Sequence, residues 1–291
     1  MSRLITIFTV VLFLASSSLA IAQPAVYWET QGDPTGRPVL FIPGLMSDGA
    51  VWNDVIDTLP DEISLHIATI PGFAGKPPAS LDGAVIQRST QAITAYLEDN
   101  ALENVILVGH SIGGQMILKV ALAAPSRIDG LVVVDSLPFL SALYTPNISI
   151  NQAKAQSQMI KVQLIGMSDD MFRAQQQATV PIMSKTAAFH PKLMAWSMAS
   201  DRATVAAATA EALGSDWRAD LAGITTPTQV LAAYDKAMPL DRDALRSLYE
   251  DQYKALEDVH IRMVDNSFHF IPIDQPQAIT DALVTVLESH Q

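Results

Sequence analysis

The eleven residues 104–114, Asn-Val-Ile-Leu-Val-Gly-His-Ser-Ile-Gly-Gly, leave a folding chain few choices. Residues 105–108 form a short apolar run of β-branched residues and Leu, the pattern of a strand buried on both faces. Residues 115–124 are good helix formers, halted by Pro125. A strand must therefore turn into a helix within a few residues, and the turn carries G-x-S-x-G as Gly109, Ser111 and Gly113. So sharp a reversal crowds the positions flanking its apex, and glycine, with no Cβ, relieves the crowding. It also pushes the Ser111 hydroxyl into the open beside the Ile112 N–H, an unpaired donor at the start of a helix. Ser111 is thus a candidate nucleophile whose oxyanion intermediate has one donor ready.

The rest of the chain has room for the machinery such a serine needs. Its 291 residues suffice for one large α/β domain with an inserted subdomain, and 49% hydrophobic against 16% charged residues describe a globular protein. A net charge of −12 with no basic cluster gives no footing for nucleic acid or an anionic membrane surface. The absence of cysteine excludes disulfides, thiolate metal sites and cysteine nucleophiles. Residues 1–22 read as a signal peptide: Arg3 is the positive start, residues 4–15 the apolar stretch, and Ala20-Ile21-Ala22 a small-x-small cleavage site. The apolar stretch is shorter than the ~20 residues a spanning helix needs, so cleavage rather than anchoring is expected. That pattern, without disulfides, predicts a periplasmic or secreted bacterial protein with no stable membrane anchor.

Apolar strand-like runs alternate with amphipathic helical stretches, the signature of a mostly parallel sheet flanked by helices. The predicted strands are residues 39–42, 65–70, 105–108, 131–134, 229–233 and 260–264, with a short antiparallel edge strand within 23–32. Helices are expected over 85–98, 115–123 and 277–288. The alternation breaks once, between 134 and 229. Residues 138–215 are rich in Ala, Gln and Met without a buried β run, and predict a helical cap inserted between core segments 23–137 and 216–291. Six of the eleven methionines lie in that insertion. Packing between cap helices is the first expectation for them, an adaptable apolar substrate pocket the second.

A serine nucleophile needs a base, and the base needs an acid to orient it. Of six histidines, His66 and His260 lie inside strand patterns, His290 at the terminus and His190 in the insertion. His110 precedes Ser111 and should point away from it. His269 remains, on a loop leaving the carboxyl end of the last strand, where parallel α/β sheets place their ligands. For the acid, Asp235 follows one predicted strand and Asp135 another. The order Ser111, Asp235, His269, with the acid beyond the insertion, favours Asp235 and leaves Asp135 as the rival. A second oxyanion donor is expected after the first core strand, in Phe41-Ile42-Pro43-Gly44-Leu45, where Gly44 permits close backbone approach and Leu45 N–H would pair with Ile112 N–H.

With these residues in view, the chain resembles the α/β-hydrolase fold family, in its esterase-like serine hydrolase branch with a helical cap. Ile42-Pro43-Gly44-Leu45 resembles the family's oxyanion loop, with Pro43 where many members carry His. Thr69-Ile70-Pro71-Gly72-Phe73-Ala74-Gly75 resembles the loop after the next strand, departing from it at Ala74 and Gly75. Gly109–Gly113 matches the nucleophile elbow, and Phe268-His269-Phe270-Ile271-Pro272-Ile273-Asp274-Gln275-Pro276 resembles the family's histidine segment before the last helix. The resemblance implies catalytic Ser111, Asp235 and His269, oxyanion donors Leu45 and Ile112, structural Gly44, Gly109 and Gly113, no metal and no cofactor. It also implies a small-molecule acyl substrate, with no nucleic-acid partner. Small or medium esters are the leading expectation. Amide, thioester or lactone hydrolysis with the same triad is the alternative, and a non-catalytic binding scaffold a distant third.

Overall fold

The computed structural model describes residues 25–79 and 84–288. The expected signal peptide and His290 lie outside them. Seven strands form one sheet: β1 (Tyr27–Gly32), β2 (Arg37–Ile42), β3 (Ile63–Thr69), β4 (Val105–His110), β5 (Ile128–Val134), β6 (Thr228–Tyr234) and β7 (Val259–Asp265). Their order is β1-β3-β2-β4-β5-β6-β7. Every pairing is parallel except β1 with β3, so the edge strand is antiparallel as expected.

Eleven helices connect the strands among the described residues: α1 (Asn53–Ile56), α2 (Val85–Asp99), α3 (Ile112–Ala123), α4 (Ser141–Tyr144), α5 (Ile150–Gly166), α6 (Asp169–Met183), α7 (His190–Ala199), α8 (Arg202–Gly214), α9 (Arg242–Tyr253), α10 (Ile271–Asp274) and α11 (Pro276–Glu288). None is long and apolar enough to cross a membrane.

Period-two alternation sorts the strand residues into two cores. Leu40, Ile42, Leu107, Leu131 and Val133 face one side, against Ile93 of α2 and Ile117 of α3. Phe41, Val108, Val132 and Val134 face the other, against Trp52 and Leu283 of α11. β4 is buried along its whole length, as its unbroken apolar run requires. The chain leaves β2 toward one edge and β4 toward the other, so the crevice between their carboxyl ends is where the strand order reverses. Open α/β sheets bind ligands at such a point.

Between β5 and β6 the described chain is entirely helical. Polar caps start its helices: Ser149 and Gln152 form a capping box, Ser168 accepts from Met171 N–H, and Asp201 from Thr204 N–H. α5 packs on α8 and α6 on α7. α8 is more than an outer layer. Val205, Ala208 and Ala212 join the core that holds Leu40, and the Glu211 carboxylate accepts the Ile86 and Gln87 N–H groups at 2.7 and 2.9 Å, capping α2. A boundary at 215 therefore divides side chains that pack as one. Nor do the insertion's methionines behave alike: Met183 and Met194 pack against the core, whereas Met159 and Met171 are exposed.

Elsewhere the insertion touches loops that leave the carboxyl ends of β3, β6 and β7. Asp201 N–H donates to Gly72 O at 2.7 Å, Lys185 pairs with Asp235, and Phe270 N–H donates to Met183 O at 2.9 Å. It spans the edge of the sheet where Ser111 stands.

Candidate active site

β4 and α3 meet at Ser111, whose backbone has φ 55° and ψ −122°. A non-glycine residue held there stores strain of about 1–3 kcal/mol. Two neighbours make the turn possible. A Cβ on Gly113 would lie 2.3 Å from Ile42 O, and one on Gly109 would lie 2.4 Å from Gly113 O. The apex is pinned by Ser111 N–H donating to Val134 O at 2.9 Å, while the Ser111 hydroxyl makes no capping bond to α3. Eight non-glycine residues have positive φ among the described residues, and Met46, Ala74, Ser111, Asp135 and Asn266 among them follow carboxyl ends of strands. Strain is concentrated on the edge that carries the site.

Gly44 brings the loop after β2 against the elbow: a Cβ there would sit 3.0 Å from Ser111 Cβ and 2.9 Å from His110 Nδ1. Ser47 N–H donates to Gly44 O at 3.3 Å and folds the loop back around Leu45. Ile112 opens α3, where amides have no partner within the helix. Leu45, next to Gly44, and Ile112, next to Ser111, thus belong to the two segments that meet at the elbow.

His269, on the loop after β7, lies against the ring of His110, the chain neighbour of Ser111. Its Nδ1 lies 2.6 Å from Asp135 Oδ2, so the carboxylate dictates the tautomer: Nδ1 carries the proton and Nε2 keeps its lone pair. The carboxylate beside His269 is that of Asp135, at the end of β5, and not that of Asp235. Three constraints hold Asp135: its N–H donates to Leu231 O at 2.7 Å, and its Oδ1 accepts from Ala233 N–H at 2.9 Å and from Tyr249 Oη–H at 2.8 Å. Burial pushes the Tyr249 phenol well above its ordinary range, with the nearby Asp135 charge adding to the effect, so Tyr249 remains a donor.

Asp235 corrects the expectation for the acid. It follows β6 as predicted and is buried, but its carboxylate pairs with the Lys185 ammonium and accepts Ala237 N–H at 2.9 Å. The Lys185 bond, then the Ala237 bond, hold it below the usual carboxylate range. The physical reason is the insertion, which delivers a cation to Asp235 and leaves His269 to the neighbouring strand end.

His110 plays a part that its spacing did not reveal. Its ring is fully buried, and burial, more than the neighbouring His269, drives its pKa well below the ordinary value. The neutral ring donates from Nε2 to His269 O at 2.9 Å and packs on the His269 ring with centroids 4.6 Å apart. The residue beside Ser111 thereby holds the loop of His269. Its place between Gly109 and Ser111 was the one signal available. The remaining histidines are tied elsewhere: His66 to Ser64 Oγ and Tyr96 Oη, and His190 to Ser184 O. His260 lines a cavity of about 420 Å³ along β7 with Arg242, Arg246 and Arg262, each paired to a carboxylate. Among the described residues no cluster of His, Asp or Glu could hold a metal ion.

The model of the Alpha/beta hydrolase family matches residues 39–282. Over 114 residues, 39% of this chain and 42% of the relative, the chain is 29% identical to a pimeloyl-[acyl-carrier protein] methyl ester esterase of Nitrosomonas europaea. The match thus spans less than half of that curated relative's length. Among solved structures, a hydrolase from Pseudomonas aeruginosa superposes with a TM-score of 0.75 at 18% identity, over 90% of this chain and 94% of that one. A thermophilic esterase from Thermogutta terrifontis does so with 0.72 at 20% identity, over 91% and 93%. With a family model covering most of its length and a seven-stranded sheet of the matching architecture, this chain belongs to the α/β-hydrolase family and has esterases among its homologues.

Proposed function

We propose that the protein is an exported serine hydrolase of carboxylesterase type that cleaves small or medium acyl esters through Ser111, His269 and Asp135. The observation that carries this reading is the short His269 Nδ1–Asp135 Oδ2 bond beside a strained serine elbow. A strand-to-helix turn alone would need neither an oriented imidazole nor a carboxylate held by two further bonds. The curated esterase relative supports ester cleavage, and residues 1–22 support export.

In this mechanism His269 Nε2 takes the Ser111 proton as Oγ attacks the ester carbonyl. The Asp135 carboxylate orients and stabilises the imidazolium. Leu45 and Ile112 N–H groups receive the oxyanion, each such donor being worth roughly 10²–10³ in rate. His269 then protonates the leaving alkoxide, and a water activated by the same Nε2 resolves the acyl-enzyme. No step calls on a metal or an organic cofactor.

A fluorophosphonate probe should label the purified protein, and Ser111→Ala should abolish labelling and lower kcat by about 10³-fold or more. Persistent labelling of Ser111→Ala would refute the assignment. The same triad can open amides, thioesters or lactones, and p-nitrophenyl esters of increasing chain length should be run against those classes. Another class with kcat/KM tenfold higher would displace esters as the substrate. A protein that neither reacts with the probe nor turns over any ester would be a binding scaffold.

A further inference from the structure

Asp274 lies five residues past His269 and collects more hydrogen bonds than its half-buried place at the end of α10 requires. Its Oδ1 accepts from Ser184 Oγ at 2.8 Å, Thr186 Oγ1 at 2.9 Å, Lys185 N–H at 3.0 Å and Thr186 N–H at 3.1 Å. Its Oδ2 accepts from Lys185 N–H and from Phe268 N–H, both at 3.0 Å. The first group of donors belongs to the insertion, in the turn between α6 and α7. Phe268 belongs to the loop of the base. One carboxylate therefore grips both.

Backbone groups on both sides of His269 are tied nearby, and its own carbonyl also accepts from Ile271 N–H at 3.0 Å. Phe268 N–H, on one side, goes to Asp274. Phe270 N–H, on the other, goes to Met183 O at the end of α6. His269 O receives His110 Nε2. Two of these anchors, those of Phe268 and Phe270, thus lead to residues 183–186 of the insertion. A wall that only shaped a substrate pocket would not need its backbone stitched to both neighbours of the base.

We infer that Asp274 is a positioning residue for His269, and that the turn at residues 183–186 acts through it as part of the catalytic apparatus rather than as a detachable cover. The inference rests on the reading of His269 as general base. A carboxylate suits the task because several N–H and O–H donors converge on it, and only an acceptor with two charged oxygens satisfies them together. In Asp274→Asn one oxygen becomes an amide donor aimed at other donors, which releases Phe268 or the insertion turn. A displacement of the base by about 1 Å can cost on the order of 10²-fold.

The test separates placement of the base from binding of substrate. Ester hydrolysis is measured for Asp274→Asn and for the double variant Ser184→Ala/Thr186→Val, which removes two insertion-side hydroxyl donors and leaves Phe268 N–H in place. We expect kcat to fall at least tenfold in Asp274→Asn and three- to tenfold in the double variant, with KM within threefold in both and circular dichroism unchanged. Should Asp274→Asn fail to fold, the double variant carries the test alone. A folded variant with kcat within twofold of the wild type overturns the inference, as does a rise in KM at constant kcat. If Ser111→Ala keeps its fluorophosphonate labelling, the reading of the triad fails first. If Ser111→Ala loses labelling while both Asp274-directed variants react at the wild-type rate, only the role of Asp274 fails.

Discussion

β5 and β6 lie side by side, and each runs directly into an aspartate, yet Asp135 and Asp235 meet opposite surroundings. Asp135 takes positive φ, turns one oxygen to Ala233 N–H and Tyr249, and offers the other to His269. Asp235 receives a lysine from the insertion and the amide of Ala237. One carboxylate is aimed by neutral donors and left with its charge for an imidazole. The other already has its countercharge. A carboxylate neutralised by an ammonium would do little to stabilise an imidazolium, so the two are not interchangeable even though both sit at the carboxyl edge.

The largest effect should therefore separate the two aspartates. Asp135→Asn keeps the shape but presents an amide to His269, permitting the wrong tautomer, and kcat/KM for an ester should fall about 10⁴-fold. Asp235→Asn should stay within about threefold, because it touches neither the base nor its loop. Steady-state kinetics on the two purified variants decides the matter, and a reversal of the ranking would restore Asp235 as the acid.

Much of this arrangement was legible in the residues. Every predicted strand formed, because runs such as 105–108 and 131–134 have no partner but a buried sheet. The elbow was legible because Gly109 and Gly113 are demanded by contacts within a few residues of themselves and with Ile42. The acid was not. Two strands end in aspartate, and choosing between them depends on where a helical insertion of low periodicity drops its lysine. The role of Asp274 was hidden for a related reason: apart from Phe268 N–H its donors lie about ninety residues upstream, and no local pattern announces them. The support that His110 gives was not legible either, since its partner, the His269 carbonyl, lies far along the chain.

A smaller effect probes the support of Asp135 itself. Tyr249→Phe removes one hydroxyl donor from Oδ1 while Ala233 N–H remains. A hydrogen bond to a charged group contributes about 1.5–3 kcal/mol, but loss is softened where a second donor persists. We expect kcat/KM to drop roughly three- to tenfold, in the range of a supporting contact rather than of the acid. A fall as large as that of Asp135→Asn would mean that Tyr249 governs the orientation of the carboxylate. No change at all would mean that Ala233 N–H suffices.

The smallest effect is on stability, and its pH dependence has a definite sign. Lys185, then Ala237 N–H, hold Asp235 below its ordinary value of 3.8, so the folded state favours the ionised carboxylate. The stabilisation from that ionised form is fully present above the unfolded value and is lost as pH falls through the lower, folded one. At pH 7 the melting temperature of Asp235→Asn should lie a few degrees or less below that of the wild type, since the Lys185 side chain is partly exposed and water screens the pair. The gap should hold down to pH about 4 and close only below it. Thermal melts of both proteins between pH 3 and pH 7 measure this directly. A gap that widened in acid would show that the pairing with Lys185 is not what Asp235 contributes, and would take away the contrast with Asp135 at its root.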